Sequence, residues 1–537
     1  MKKFYSLLFL AWAGTASAFA QWNTGATPVC IFDATGQGDY YGCSPQVART
    51  PDKKTWISWK ISKRKEIGDQ RIVAVRTYLQ LLDKDGVPQF EEPILVNDHA
   101  TPTWWSTYSL CVASDGSAIV TVADSRTEES GLTEDGDSPQ TFTPAIYKVS
   151  QEGDFLWGLD GIEYTQYHNA PYTYAQVVGD DTYFVFRNTN EESTVDYDDP
   201  TVGTFIQRIN DDGTVAWETP RQWSADMVNT QMLPTLNNEF LLFDGCPEGG
   251  RVHRLNRDLE EVWGDPVVYD EYKYDGYELN PYKIVSDGNG GACVTYTRNM
   301  GDFSHNIRVQ HINEDGSLGF GLSGLDAYNQ DAYDHNYPSI AVNPETEQIF
   351  VMYASQLAST GNVNAQLFTF DGDYLFPETG LSLASKSTAT NTYFYGLAGC
   401  GSLKGGDWIV VYRDLAGWGK SSFIIRRYDS TGKRVWTKTI GRDLNPTDVR
   451  LVVEEEATYL FYREESSEKN PGINIFRIGN DGTYNVSYDT GIQENIRESA
   501  GKNRYYSLDG KQLSTLQKGL NLVRKADGTV QKYISNK

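Results

Sequence analysis

The chain has 537 residues, enough for a large core, with 47 basic and 72 acidic side chains and a net charge of −25. Residues 501–537 hold eight Lys or Arg against two Asp, a balance of +6, which leaves −31 on the remainder. A body this acidic repels DNA, RNA and anionic membrane surfaces, so nucleic-acid partners are excluded.

In chain order, the first element is a leader. Lys2 and Lys3 make a positive start, Phe4 to Trp12 an apolar stretch, and Ala18-Phe19-Ala20 a small-residue cleavage site before Gln21. Residues 1–20 are therefore expected to be a signal peptide, and the protein to be secreted or held at the outer cell surface. The apolar stretch is too short to span a bilayer, and no later stretch approaches eighteen apolar residues, so no transmembrane segment is expected.

Residues 21–490 are dominated by one repeated phrase. Arg208-Ile-Asn-Asp-Asp-Gly213-Thr-Val-Ala-Trp217 is a strand end, an acid-glycine turn and an aromatic four residues after the glycine. The same pattern recurs at Leu81 to Phe90, Lys148 to Trp157, Arg254 to Trp263, His311 to Phe320, Leu367 to Phe376, Arg427 to Trp436 and Arg477 to Val486. Leu259 breaks the glycine and Val486 the aromatic. Such a turn needs a residue at positive φ, which glycine reaches without steric cost. A second hairpin precedes each copy, as in Ser109 to Val122 and Lys283 to Tyr296. Two hairpins per repeat make four strands, and a four-stranded unit buries its faces only by stacking on its neighbours. An all-β propeller of eight four-stranded blades is expected, with seven blades as the alternative and almost no helix. Trp22 to Ile31 matches the second half of the phrase with no first half before it. Its simplest use is as the missing outer strand of the last blade, closing the ring.

The connections between repeats carry the most suggestive chemistry. Asp98 to Tyr108, Tyr164 to Tyr174, Tyr269 to Tyr277 and Tyr328 to Tyr337 are rich in Tyr, Trp, Asp, Asn and His. In a propeller these connections gather on one face, and loops on a rigid ring are where binding residues tend to sit. Flat rings stack on sugars while carboxylates and amides take hydroxyls. The expected ligand-binding residues are Asp98, His99, Trp104, Trp105, Tyr167, His168, Tyr333, Asp334 and His335. A ring recurring just before each inner strand (Tyr108, Tyr174, Tyr282, Tyr337, Phe394) is assigned to packing instead. Arginines that end several second strands, Arg187, Arg413 and Arg463, read as rim residues rather than an anion site.

Catalytic signatures are missing: there is no zinc helix, nucleophile elbow or Cys-x-x-Cys pair. The turns also differ in spacing from the sialidase Asp-box. No catalytic residue or cofactor is assigned. Calcium has two oxygen-rich loops to occupy, Glu128 to Asp137 and Glu191 to Asp199, though a solvated acidic loop is the plainer reading. Cys30 and Cys43 flank the first connection and are the expected disulfide, while Cys111, Cys293 and Cys400 read as buried thiols.

After a polar linker, 491–503, residues 504–537 are expected to form a small module of three short strands, with turns at Asp509-Gly510, Lys518-Gly519 and Asp527-Gly528. The order Tyr-Ser-Leu-Asp-Gly-Lys, Lys-Gly-Leu-Asn-Leu-Val and a basic final strand resembles the C-terminal sorting region of proteins exported by the type IX secretion system of Bacteroidetes. The blade phrase is similar to the repeats of secreted Bacteroidetes propeller proteins. The resemblance implies an export machinery that reads the tail, leaving it cleaved or surface-attached. The expected function is that of an exported binding protein for a carbohydrate or peptide. A propeller glycoside hydrolase or lyase is the first alternative, and a structural component of an envelope complex the second.

Overall fold

The computed structural model describes residues 22–484, except 24, 36–42, 68–69, 98, 100, 102–105, 126–140, 190–198, 227, 247–248, 272–282, 302–303, 329–333, 358–359, 378, 388–398, 418–419 and 467–470, together with four strands between 504 and 535. Two compact units divide the chain, residues 1–485 and 486–537.

The first unit is a β-propeller of eight four-stranded antiparallel blades. Blade one runs outward from Cys43–Arg49 through Thr55–Ile67 and Gln70–Leu82 to Ile94–Leu95. The innermost strands of the next six blades are Leu110–Val112, Tyr172–Val178, Thr230–Pro234, Lys283–Ser286, Asp334–Asn343 and Gly399–Ser402. Blade eight begins with Pro446–Val453 and takes its outermost strand, Val29–Asp33, from the other end of the chain. Val29 faces Ile475 and Asp33 faces Gly472 across that pairing. Each innermost strand packs on the next, and the eighth returns to the first. The ring thus closes after eight blades. Helix among the described residues comes to one 3-10 turn, Leu236–Asn238.

Stacking of each blade on its neighbours explains the core. Residues such as Ile119, Phe184, Leu241, Val294, Phe350 and Ile409 sit on second strands and are fully buried between blades. With both faces covered, apolar residues fill successive positions of these strands, and polar ones such as Ser58, Thr121 and Thr295 are buried beside them.

The repeated phrase joins one blade to the next. In blade three, Asn210 and Thr214 close the hairpin, and Gly213 turns it at φ +87. A Cβ on Gly213 would stand 2.6 Å from the ring of Trp157, which ends the phrase of blade two. Trp157 also donates its indole N–H to the Asp211 carbonyl at 3.2 Å. Rings and glycines meet in the same way at Phe90 and Gly153, Trp263 and Gly316, Phe320 and Gly372, Phe376 and Gly432, and Trp436 and Gly482. Leu259, at φ +64, replaces the glycine at the seam of blades three and four. There Arg221 and Arg208 lie over the Trp217 ring at 4.2 and 5.5 Å. Arg208 also donates to the Arg257 carbonyl at 2.9 Å, the position equivalent to the Asp211 carbonyl.

The expected disulfide is not formed. Cys30 is a thiol on the outermost strand of blade eight, donating to the Phe32 carbonyl at 3.2 Å. Cys43 is a thiol on the innermost strand of blade one, donating to the Lys60 carbonyl at 3.4 Å. Between them the chain changes blades, so nearness in sequence does not become the short Cα separation a bridge needs. Burial pushes the Cys30 thiol up to about 12. Cys293 and Cys400 are buried free thiols and Cys111 is a half-buried one.

In the second unit, Gln512–Leu513, Arg504–Tyr506, Gly519–Arg524 and Val530–Ser535 pair in that order as one antiparallel sheet. It has four strands where the turn signals predict three.

Candidate functional site

Antiparallel order puts two kinds of connection at each end of the ring. At one end lie the links from first to second strand and from third to fourth. The former span two to five residues and the latter eleven or twelve in blades one to six. The length is constant because this is the locking phrase. At the other end lie the links from second to third strand and from blade to blade. These range from one residue, between Leu444 and Pro446, to eighteen, between Asp124 and Thr143. Fourteen residues separate Asn188 from Gly203 and Leu95 from Leu110, and twelve separate Asp270 from Lys283. One face is repetitive scaffold and the opposite face carries the variation.

Of the predicted ligand residues, His99, Tyr167, His168, Asp334 and His335 stand at the variable end of the ring. Asp98, Trp104, Trp105 and Tyr333 lie outside the described residues. Asp334 and His335 begin the innermost strand of blade six, paired with Gln356 and Ser355. His99 is half-buried, and its carbonyl accepts the Asn97 side-chain amide at 3.0 Å. His168 is exposed, with its carbonyl held by the Phe142 N–H at 2.7 Å. Tyr167 departs from expectation. It is buried, with its ring centroid 4.8 Å from Phe186 and 4.7 Å from Phe205, so it belongs to the core of blade three and offers no stacking surface. Its apolar neighbours come from strands distant in sequence, which loop composition does not reveal.

The rings assigned to packing divide. Tyr108 is buried and donates to the Ser44 carbonyl at 2.8 Å, and Tyr174 is half-buried with its hydroxyl 2.9 Å from Thr230. Tyr337 is instead 43% exposed, at φ +56 on a bulge of its strand. Tyr282 and Phe394 lie outside the described residues. The strand-end arginines are tied into the scaffold. Arg413, 8% exposed, donates to Ser421 at 2.7 Å and to the Pro446 carbonyl at 3.2 Å. The Arg187 guanidinium lies 4.0 Å over the Tyr172 ring.

The loop Glu128 to Asp137 and most of Glu191 to Asp199 lie outside the described residues. Asp199 itself accepts the Thr201 N–H and hydroxyl, both at 2.8 Å. Among the described residues no three His, Cys, Asp or Glu gather as metal ligands.

Sequence reading missed a polar wall at the scaffold end. An open cavity of about 900 Å³ lies where the turns of blades four, five and six meet. His311 and Asp287 stand in its wall with Nε2 and Oδ2 3.1 Å apart, both almost fully buried. Burial alone would raise the Asp287 carboxyl. The His311 contact and the N–H groups of Asn289 and Gly291 outweigh it and hold the carboxyl below the usual range. Towards the opposite, variable end of blade four, Asp244 is fully buried and takes two bonds from Arg251, at 2.8 and 2.7 Å. Its carboxyl is also lowered, against burial, by His253 and Arg251. The signal for the wall was visible in the phrase, whose first residue is basic in six of eight copies.

No family model matches the chain, and no curated protein is similar to it in sequence. Among solved structures it is similar to polysaccharide lyase Uly1, at 8% identity and a TM-score of 0.42, covering 83% of this chain and 91% of that one. A PL25 ulvan lyase bound to -[GlcA(1-4)Rha3S]- gives 11%, 0.39, 87% and 96%. Puromycin hydrolase gives 11%, 0.40, 83% and 61%, so this chain spans about three-fifths of that enzyme's length. These likenesses are distant. The eight-blade assignment rests on this chain's own strand pairing.

Proposed function

We propose that the protein is an exported or cell-surface binding protein that uses the variable face of its propeller to hold a carbohydrate. The observation that carries this reading is the inequality of the two ends. Links of two to five residues and, in blades one to six, of eleven or twelve lock the blades at one end, while those at the other run from one to eighteen residues. A hairpin turns in about two residues and a blade-to-blade link crosses three strand spacings in about five, so the fourteen residues between Leu95 and Leu110 serve something other than joining strands. The long connections hold Asp98, Trp104, Trp105, His168 and Tyr333, the combination of flat rings and hydrogen-bonding groups that suits sugars. In this reading residues 1–20 direct export, and the unit formed by the tail is read by the export machinery or attaches the protein at the surface.

A glycan array on protein from residue 21 onward, run beside a reducing-sugar release assay, tests it. Saturable glycan binding that Trp104→Ala or Trp105→Ala weakens about tenfold supports the reading, a loss of about 1.4 kcal/mol. Release of sugar ends that stops with Asp334→Asn replaces it with the lyase or hydrolase reading, and no binding to any glycan removes it.

A further inference from the structure

The first residue of the repeated phrase crosses the seam to the next blade. Lys148 pairs with Asp115 of its own blade at 3.0 Å and with Asp211 of the next at 2.5 Å. Arg254 pairs with Glu239 at 2.7 Å and donates to the Glu314 carbonyl at 2.5 Å. Arg427 bonds Asp407 at 2.7 Å and the Asn480 carbonyl at 3.0 Å. Each is a permanent cation with one partner on either side of a seam.

At the seam of blades five and six the same position is His311. Its partners are the counterparts of the others: Asp287 in the first turn of its own blade, and the Phe370 carbonyl of the next blade at 3.3 Å from Nδ1. The Phe370 and Phe320 rings pack on the imidazole, with centroids 4.5 and 6.1 Å away. Both groups facing the ring nitrogens are acceptors. A neutral imidazole has one N–H and can satisfy one of them, whereas the imidazolium satisfies both.

We propose that His311 makes the seam between blades five and six a pH-sensitive joint, fully made when the imidazole is doubly protonated and half-released when it is neutral. The charged groups around it fit this role. From blade four, Glu239 and Arg254 face the cavity already paired to each other. Glu314 and Asp315 face it from the histidine's own blade, and Glu347 and Asp371 from blade six. Carboxylates as a class titrate near pH 4, so histidine is the kind of group in this wall that changes charge between about pH 5 and 8. The cavity lies where a short ring replaces the long arms of Lys148 and Arg427, so loosening has room to proceed.

The test uses the full chain. Hydrogen exchange is followed at the amides of Asn289 and Gly291, which Asp287 accepts, and of Gly372 in the facing turn. Gly213, at the Lys148 seam, is the internal reference. After correction for intrinsic rates, protection at the three amides relative to Gly213 should fall about tenfold between pH 5.5 and 8.0, and His311→Arg should abolish the fall. A ratio independent of pH in the natural sequence overturns the proposal, as does a fall that persists in His311→Arg. Should that variant not fold, the natural sequence's ratio decides alone.

Discussion

The indole of Trp22 covers Gly86: a Cβ on that glycine would stand 2.7 Å from the ring, and Nε1 donates to the Lys84 carbonyl at 2.9 Å. Trp22 does at the closing seam what Trp157 does between blades two and three. It supplies the aromatic that the eighth phrase lacks at Val486. Asn23 completes the join through the Arg477 carbonyl and N–H, at 2.9 and 2.6 Å. Two bonds from Arg49 to Glu454, at 2.7 and 2.8 Å, hold the inner strands of blades one and eight together.

Gly86→Ala should therefore carry two costs. The backbone at φ +80 disfavours any side chain, by about 1–2 kcal/mol, and the methyl also displaces Trp22. Gly158 separates the two, since it lies at φ +90 with nothing within 4 Å of an added Cβ. Gly158→Ala should lose only the backbone part, and Gly86→Ala at least about 1 kcal/mol more. Equal losses in denaturant unfolding would show that the ring and glycine are not in contact.

Removing residues 21–33 should destabilise the propeller far more than removing 486–537. The first deletion strips the outermost strand from blade eight and leaves Gly472–Gly479 as a bare edge, which also invites association. The second removes a separate unit. The tail truncation should melt within about 2 °C of the full chain, while the leading truncation melts well below it. Coincident midpoints, with both variants monomeric by light scattering, would mean that the ring does not depend on this strand.

The ring and its blade count were legible because turn chemistry is local: an acid, a glycine at positive φ and an aromatic four residues on recur in one line of sequence. Trp22 was legible for the same reason, as half of a phrase. What crosses a seam was not. Lys148 reads as an ordinary strand end until Asp211 is seen to come from the next blade. Cys30 and Cys43 are thirteen residues apart yet belong to different blades. At the variable face, composition marks the loops but does not say which ring turns inward.

Tyr167 and His168 show this in adjacent residues. Tyr167→Ala removes a ring packed between Phe186 and Phe205 and should cost about 3–5 kcal/mol, as buried aromatic truncations do. His168→Ala removes an exposed side chain and should fall within about 0.5 kcal/mol of the parent. If the proposed function holds, only His168→Ala should weaken glycan binding without lowering the melting temperature. A stable Tyr167→Ala would place that ring outside the core.

Lys60 offers a test of burial through pH. Its side chain is 2% exposed, its ammonium donates to the Ser106 carbonyl and, at 3.0 Å, to the Ser106 hydroxyl, and it lies 5.0 Å over the Tyr108 ring. Burial lowers its pKa from 10.5 to about 8. The unfolded chain then holds this proton more tightly than the folded one, so between about pH 8 and 10.5 stability rises with pH, and below pH 8 the full penalty of a buried charge applies. Lys60→Met, similar in length and uncharged, has no such dependence. Between pH 7 and pH 9.5 the natural protein should gain about 2 kcal/mol relative to Lys60→Met, read from denaturant midpoints of the two proteins at each pH. A difference that stays constant over that range would mean that Lys60 is hydrated in the folded ring, and that the space between blades one and two is open to water.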